Sequence, residues 1–163
     1  MTVRTADPWR DLDVIDSRAP RFNQAVIGLV TLVALATGWW WLLALLAANL
    51  GAGLTLGRRF CVTCVAYFLL VQPRLGEGPL EDSRPPRVAN MVGFAFLAAA
   101  AAAYGLGSTV AGAVLASIVA ALALLAAATG FCTGCEAYKL GYLLTGRRFV
   151  SCPLPPRVVR EGR

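Results

Sequence analysis

The chain has 163 residues, the size of one ordinary domain, but 58% are hydrophobic and 15% charged, against roughly 25% charged in soluble domains. Mean hydropathy is +0.65. No charged side chain occurs from Ala25 to Gly57 or from Val88 to Cys135, and a soluble fold of this size lacks the polar faces to coat two such runs. The net charge of +6 comes without a separate basic domain, which argues against a nucleic-acid partner and for contact with the anionic surface of a lipid bilayer.

Residues 1–19 form a polar segment in which arginines alternate with Asp7, Asp11, Asp13 and Asp16, an irregular or interfacial start rather than a signal peptide. Ala34-Leu35-Ala36 has the form of a cleavage signal, but the apolar run continues past it, so an uncleaved helix is expected. Residues 25–57 are too many for one upright span at 1.5 Å per residue. The break is expected at Thr37-Gly38, before Trp39, Trp40 and Trp41, which suit a membrane interface. This predicts helices over 20–37 and 39–57, with Pro20 in the first turn and Arg21 snorkelling to the surface. Val62 to Val71 is apolar again and reads as an interfacial helix, with a re-entrant insertion as the alternative. A linker spans 73–85. A second pair follows at 88–105 and 109–130, joined at Gly105-Leu106-Gly107-Ser108. Gly112, Ala113, Ala116, Ser117 and Ala120 form a ridge of small residues that favours close helix approach. A basic tail occupies 147–163.

Four spans would place all 15 Lys and Arg residues on one side. The positive-inside rule makes that side cytoplasmic, with both termini there, in a multi-pass inner-membrane protein.

The chain reads as two similar units, 20–72 and 86–146. Pro20-Arg21 precedes the first apolar pair and Pro86-Arg87 the second, an offset of 66. After the first pair comes Phe60-Cys61-Val62-Thr63-Cys64-Val65-Ala66-Tyr67. After the second comes Phe131-Cys132-Thr133-Gly134-Cys135-Glu136-Ala137-Tyr138, at an offset of 71. Alanine-rich composition does not explain the matched Cys, Ala and Tyr positions. The expected fold is an all-α membrane protein: four transmembrane helices as two parallel-repeat hairpins, a short interfacial helix after each, and a pseudo-twofold axis along the membrane normal.

Four of the five cysteines form two C-x-x-C pairs, and three readings stay open. Cys61, Cys64, Cys132 and Cys135 form a candidate four-thiolate site for zinc or iron. Alternatively, one pair cycles between dithiol and disulfide, with Cys132 as the exposed thiol, Cys135 as its resolver, Glu136 assisting proton transfer and Cys152 available as a relay. In the third reading the cysteines are small buried hydrophobes. Tyr67 and Tyr138 are expected as interfacial anchors or as hydrogen-bond partners near the sulfurs. Asn49 is expected to bond across the bundle. The absence of histidine removes mixed Cys/His zinc sites.

Phe131-Cys132-x-Gly134-Cys135-Glu136-x-Tyr138, behind an alanine- and leucine-rich helix, resembles the signature of the DUF4395 family of small bacterial membrane proteins. Asp16-x-x-Ala19-Pro20-Arg21-Phe22-Asn23-Gln24 resembles its opening, and Pro73-Arg74-Leu75 and Pro86-Arg87-Val88-Ala89-Asn90 its central linker. The resemblance implies no activity. It implies a neighbourhood of thioredoxin-like or sulfurtransferase proteins and places any shared chemistry on Cys132 and Cys135. The expected function is a membrane-anchored thiol module at the cytoplasmic face, exchanging electrons or sulfur with a soluble partner. The alternative is an accessory subunit of a larger membrane complex, stapled by the four-cysteine metal site.

Overall fold

The computed structural model describes residues 6–130 and 133–144. Along the chain come β1 (Val14–Asp16), α1 (Arg18–Thr37), α2 (Trp41–Thr55), a 3-10 turn (Arg58–Phe60) and α3 (Val62–Ala66). A π-helical turn (Tyr67–Val71), α4 (Gln72–Leu75), β2 (Leu80–Asp82), α5 (Arg84–Gly105), α6 (Thr109–Thr129) and α7 (Thr133–Leu144) follow. Helices α1, α5 and α6 are each long and apolar enough to cross a membrane. Their outward faces carry Leu29 and Val33 on α1, Met91 and Val92 on α5, and Leu122 and Leu125 on α6. Water would leave such contiguous apolar surface uncovered at a large cost, and hydrocarbon covers it.

The turns fall where glycine permits them. Gly38 closes α1 at φ 74 and Gly107 turns the chain between α5 and α6 at φ 83, left-handed conformations that are costly with a Cβ. Helix α5 starts at Arg84, four residues earlier than expected, because Pro85 and Pro86 fit a first turn that needs no N–H donors. The second helix departs most from expectation. It covers Trp41–Thr55, 15 residues, or roughly 22 Å, in place of 39–57. Gly57, at φ 98, redirects the chain below it.

The expectation of an all-helical chain with an irregular start and a plain linker also needs correction. Strands β1 and β2, drawn from those two segments, pair antiparallel with Val14 opposite Asp82, Ile15 opposite Glu81 and Asp16 opposite Leu80. Each strand runs directly into a long helix, so α1 and α5 begin at the same end of the bundle. The joins repeat one pattern: Asp16-Ser17-Arg18-Ala19-Pro20-Arg21 and Asp82-Ser83-Arg84-Pro85-Pro86-Arg87.

Helix α1 packs mainly on α6, and α2 on α5. The first helix of each pair therefore lies along the second helix of the other. Ile27, Leu43, Leu50, Leu97, Ala116 and Ala123 fill the shared core. On α6, Gly112, Ala116 and Ala120 face inward as the small-residue ridge requires, whereas Ser117 faces out. A Cβ on Gly28 would stand 2.7 Å from the Leu124 side chain, so glycine sets the spacing of α1 against α6.

Candidate functional site

Below α2, the 3-10 turn delivers Cys61 to the N-cap of α3. Cys61 is 2% exposed, and Cys64, one turn on, is half-buried. Gly53 on α2 makes the approach possible, since a Cβ there would lie 2.9 Å from that of Cys61.

A polar chain connects this sulfur to α1, α2 and α5. The Thr63 hydroxyl lies 3.2 Å from Cys61 Sγ and donates to Asn23 Oδ1 at 2.5 Å. Asn23 Nδ2 donates to Asn90 Oδ1 at 3.2 Å. Asn49 bonds not across the bundle, as expected, but to the segment that follows its own helix: Nδ2 donates to Thr63 Oγ1 at 3.2 Å and Oδ1 accepts the Val62 N–H at 2.7 Å. Thr63 has one proton. With a neutral thiol, Cys61 donates to Thr63 and Thr63 to Asn23. When the sulfur ionises, the Thr63 proton turns to it.

The two cysteines are tuned apart. Hydrogen bonding from the Cys64 thiol brings Cys61 down from about 9.0 to about 6, overcoming the upward push of burial, with help from the Thr63 hydroxyl and backbone N–H groups. The Cys64 N–H points at Cys61 Sγ from 3.4 Å. Cys64 is pushed up by that same thiol contact, then by burial and by the charge on Cys61. A thiolate beside a protonated neighbour is the arrangement that dithiol chemistry uses.

Arg58 approaches from the other side. Its guanidinium donates to the carbonyls of Pro8, Asp11 and Leu12 at 3.3, 3.4 and 2.7 Å. Burial lowers its pKa, and charge on Cys64 opposes that fall. A cavity of about 280 Å³ opens here, lined by Cys61, Cys64, Arg58, Arg87, Ser83 and Asn90 among others.

A second cluster anchors the segment. Asp16, 2% exposed, accepts from Tyr67 Oη at 2.9 Å, Gln72 Nε2 at 3.2 Å and the Gly78 N–H at 3.0 Å, and from the Arg18 N–H at 2.9 Å. Tyr67 is thus neither an interfacial anchor nor a partner of the sulfurs. It is 1% exposed, and burial followed by the Asp16 contact raises its pKa. The π-helical turn begins at this tyrosine. In the second half, Tyr138 donates to Tyr142 at 3.3 Å.

Of the expected site residues, the structure brings Cys61 and Cys64 together. Cys132 lies outside the described residues, as do Cys152 and the side chain of Cys135. Glu136 is exposed on α7, which packs on α5. Among the described residues no three Cys, Asp or Glu side chains gather as metal ligands. Asn23, Thr63, Arg58 and Asp16 were not singled out from sequence for these roles. The twice-used Asp-Ser-Arg pattern was the available signal for Asp16.

The family described as Domain of unknown function (DUF4395) matches residues 15–142, from β1 into α7. No curated protein and no solved structure matches the chain. The chain belongs to the DUF4395 family.

Proposed function

We propose that this DUF4395 protein is a membrane-anchored thiol module that exchanges electrons or sulfur with a soluble partner at the cytoplasmic face of the inner membrane. The observation that carries the reading is Cys61 Sγ, ringed by the Cys64 thiol, the Cys64 N–H and the Thr63 hydroxyl. In electron exchange, the Cys61 thiolate attacks one sulfur of an oxidised partner and expels the other as thiolate. Cys64 then loses its proton and attacks Cys61 Sγ, closing the protein disulfide and releasing the second partner sulfur. Two electrons pass to the partner. Cys132 and Cys135, with Glu136 beside them, are assigned the same chemistry in the second half. Thioredoxin-like and sulfurtransferase proteins are the partner types of this reading.

Four spans in two parallel hairpins are the proposed topology. Support comes from the strand pair, whose central residues Ile15 and Glu81 share the 66-residue offset of the Pro-Arg pairs, and from the reciprocal packing of α1 on α6 and α2 on α5. Because α1 and α5 start at one end, the chain must return between them, and α2 is the segment available. The 15 basic residues then share one side.

Metal analysis with thiol counting on anaerobically purified protein tests the chemistry. The expectation is no stoichiometric metal and a reversible Cys61–Cys64 disulfide. One zinc or iron per chain with four protected thiols would replace this reading with the metal-stapled accessory subunit. For topology, a membrane-impermeant maleimide applied to intact cells is expected to leave Cys61 and Cys132 unlabelled.

A further inference from the structure

The cavity beside the cysteines has a one-sided electrostatic character. Among the described residues two arginines, Arg58 and Arg87, line it, and no Asp or Glu does. Among the described residues neither arginine has a carboxylate within ion-pair distance. The Arg58 guanidinium donates to three backbone carbonyls, and Asp13 acts on it only from beyond that distance. Arg87 donates to the Leu54 carbonyl at 3.3 Å and is exposed. Carbonyls hold these guanidiniums in place without neutralising them. The remaining wall is mostly apolar, with Leu12, Ile15, Leu50 and Leu54 among its residues. At about 280 Å³ the cavity lies at the lower edge of small-molecule sites, which run from roughly 300 to 1,000 Å³. That size suits a small molecule better than a protein segment.

We infer that this cavity binds a small disulfide bearing carboxylates, which Arg58 and Arg87 hold while one of its sulfurs meets Cys61. The inference rests on the thiol reading and names its substrate class. In the step, Cys61 thiolate bonds to one substrate sulfur and the substrate S–S bond breaks, releasing the first carboxylated thiolate. Cys64, giving up its proton, then bonds to Cys61 and releases the second. The disulfide substrate gains the two electrons that the protein dithiol loses. The charge argument also gives a diagnostic order. A bare thiolate repels an anionic disulfide, so an isolated thiol reacts fastest with a cationic one. Two arginines lining the cavity, neither with a carboxylate at ion-pair distance among the described residues, reverse that order.

The test uses the full-length reduced protein in nanodiscs, with Cys132, Cys135 and Cys152 replaced by serine. Three disulfides of similar size serve as probes: dithiodipropionate (anionic), bis(hydroxyethyl) disulfide (neutral) and cystamine (cationic). The readout is the rate of Cys61–Cys64 disulfide formation. The expected order is anionic over neutral over cationic, with at least about tenfold between the ends and a flattening in high salt. Arg87→Gln, at an exposed side chain, is expected to collapse the order, and Arg58→Gln to do the same if it folds. A neutral or cationic preference, with Cys61–Cys64 disulfide still forming, overturns this inference and leaves the thiol function standing. An anionic preference unchanged by Arg87→Gln and by a folded Arg58→Gln also overturns it. No disulfide with any probe overturns the thiol function and this inference together.

Discussion

The two Asp-Ser-Arg stations share a sequence and differ in what satisfies the acid. Asp16 is enclosed by a tyrosine hydroxyl, a glutamine amide and two backbone N–H groups. Its own Arg18 turns away to the Leu75 carbonyl at 3.4 Å. Asp82 is held by its arginine instead, through Arg84 Nη2 at 2.6 Å and Nε at 3.0 Å, while Tyr138 bonds to Tyr142. A buried carboxylate satisfied by neutral donors depends on the donors' fixed positions. One satisfied chiefly by a half-exposed arginine side chain, with one backbone N–H beside it, can follow movement more readily. The first station therefore fixes the segment from Tyr67 to Gly78 to the start of α1, and Cys61 and Cys64 lie directly before that segment.

The largest effect expected from breaking this comparison is that of Asp16→Ala. It strands the buried Tyr67 and Gln72 donors, at about 1–3 kcal/mol for each unsatisfied group. The midpoint of thermal unfolding in detergent micelles should fall well below that of Asp82→Ala, which removes the partner of a half-exposed arginine side chain. Equal losses would show that the stations are equivalent after all. Next in size is Tyr67→Phe, which removes one buried hydrogen bond and keeps the ring against Phe22 (centroids 5.7 Å apart). A loss of about 1–2 kcal/mol is expected, against a smaller one for Tyr138→Phe, whose hydroxyl donates in a part-buried setting.

The long helices were legible because their signals are local. Thr37-Gly38 and Gly105–Ser108 marked turns, and chargeless runs marked α1, α5 and α6. The short α2 was overestimated because Leu56 and Gly57 continue the apolar composition while Gly57 breaks the backbone. The strand pair was missed because three residues carry no periodicity to detect, and the partner of the central residue, Ile15, is Glu81, 66 positions away. For the site, the spacing exposed Cys61 and Cys64 but not what surrounds them. Asn23, Asn49 and Asn90 reach Thr63, directly or through one another, only because α1, α2 and α5 converge, a tertiary fact that a linear pattern does not carry. Tyr67 was expected as an anchor or a partner of the sulfurs for the same reason: its actual partner, Asp16, lies far away in the chain.

The smallest effect is a change in the pH profile of Cys61 alkylation, measured with iodoacetamide and peptide mass mapping in the variant lacking Cys132, Cys135 and Cys152. Cys61 has its pKa lowered to about 6, so its rate should rise with pH through 6 and then level off. Cys64→Ala removes the foremost cause of that lowering and should move the rise toward the ordinary thiol range near 9. At pH 7 the original site is about nine-tenths thiolate and an ordinary thiol about one-hundredth, but nucleophilicity falls with pKa, so the advantage shrinks to about fourfold. Above roughly pH 8 the order should invert, because a fully ionised ordinary thiolate is the better nucleophile. Asp16→Ala, by releasing Tyr67 and the helix that follows Cys64, should shift the profile in the same direction, whereas Asp82→Ala should leave it in place. A profile that moves equally in both variants would mean that the thiol senses general stability rather than the first station.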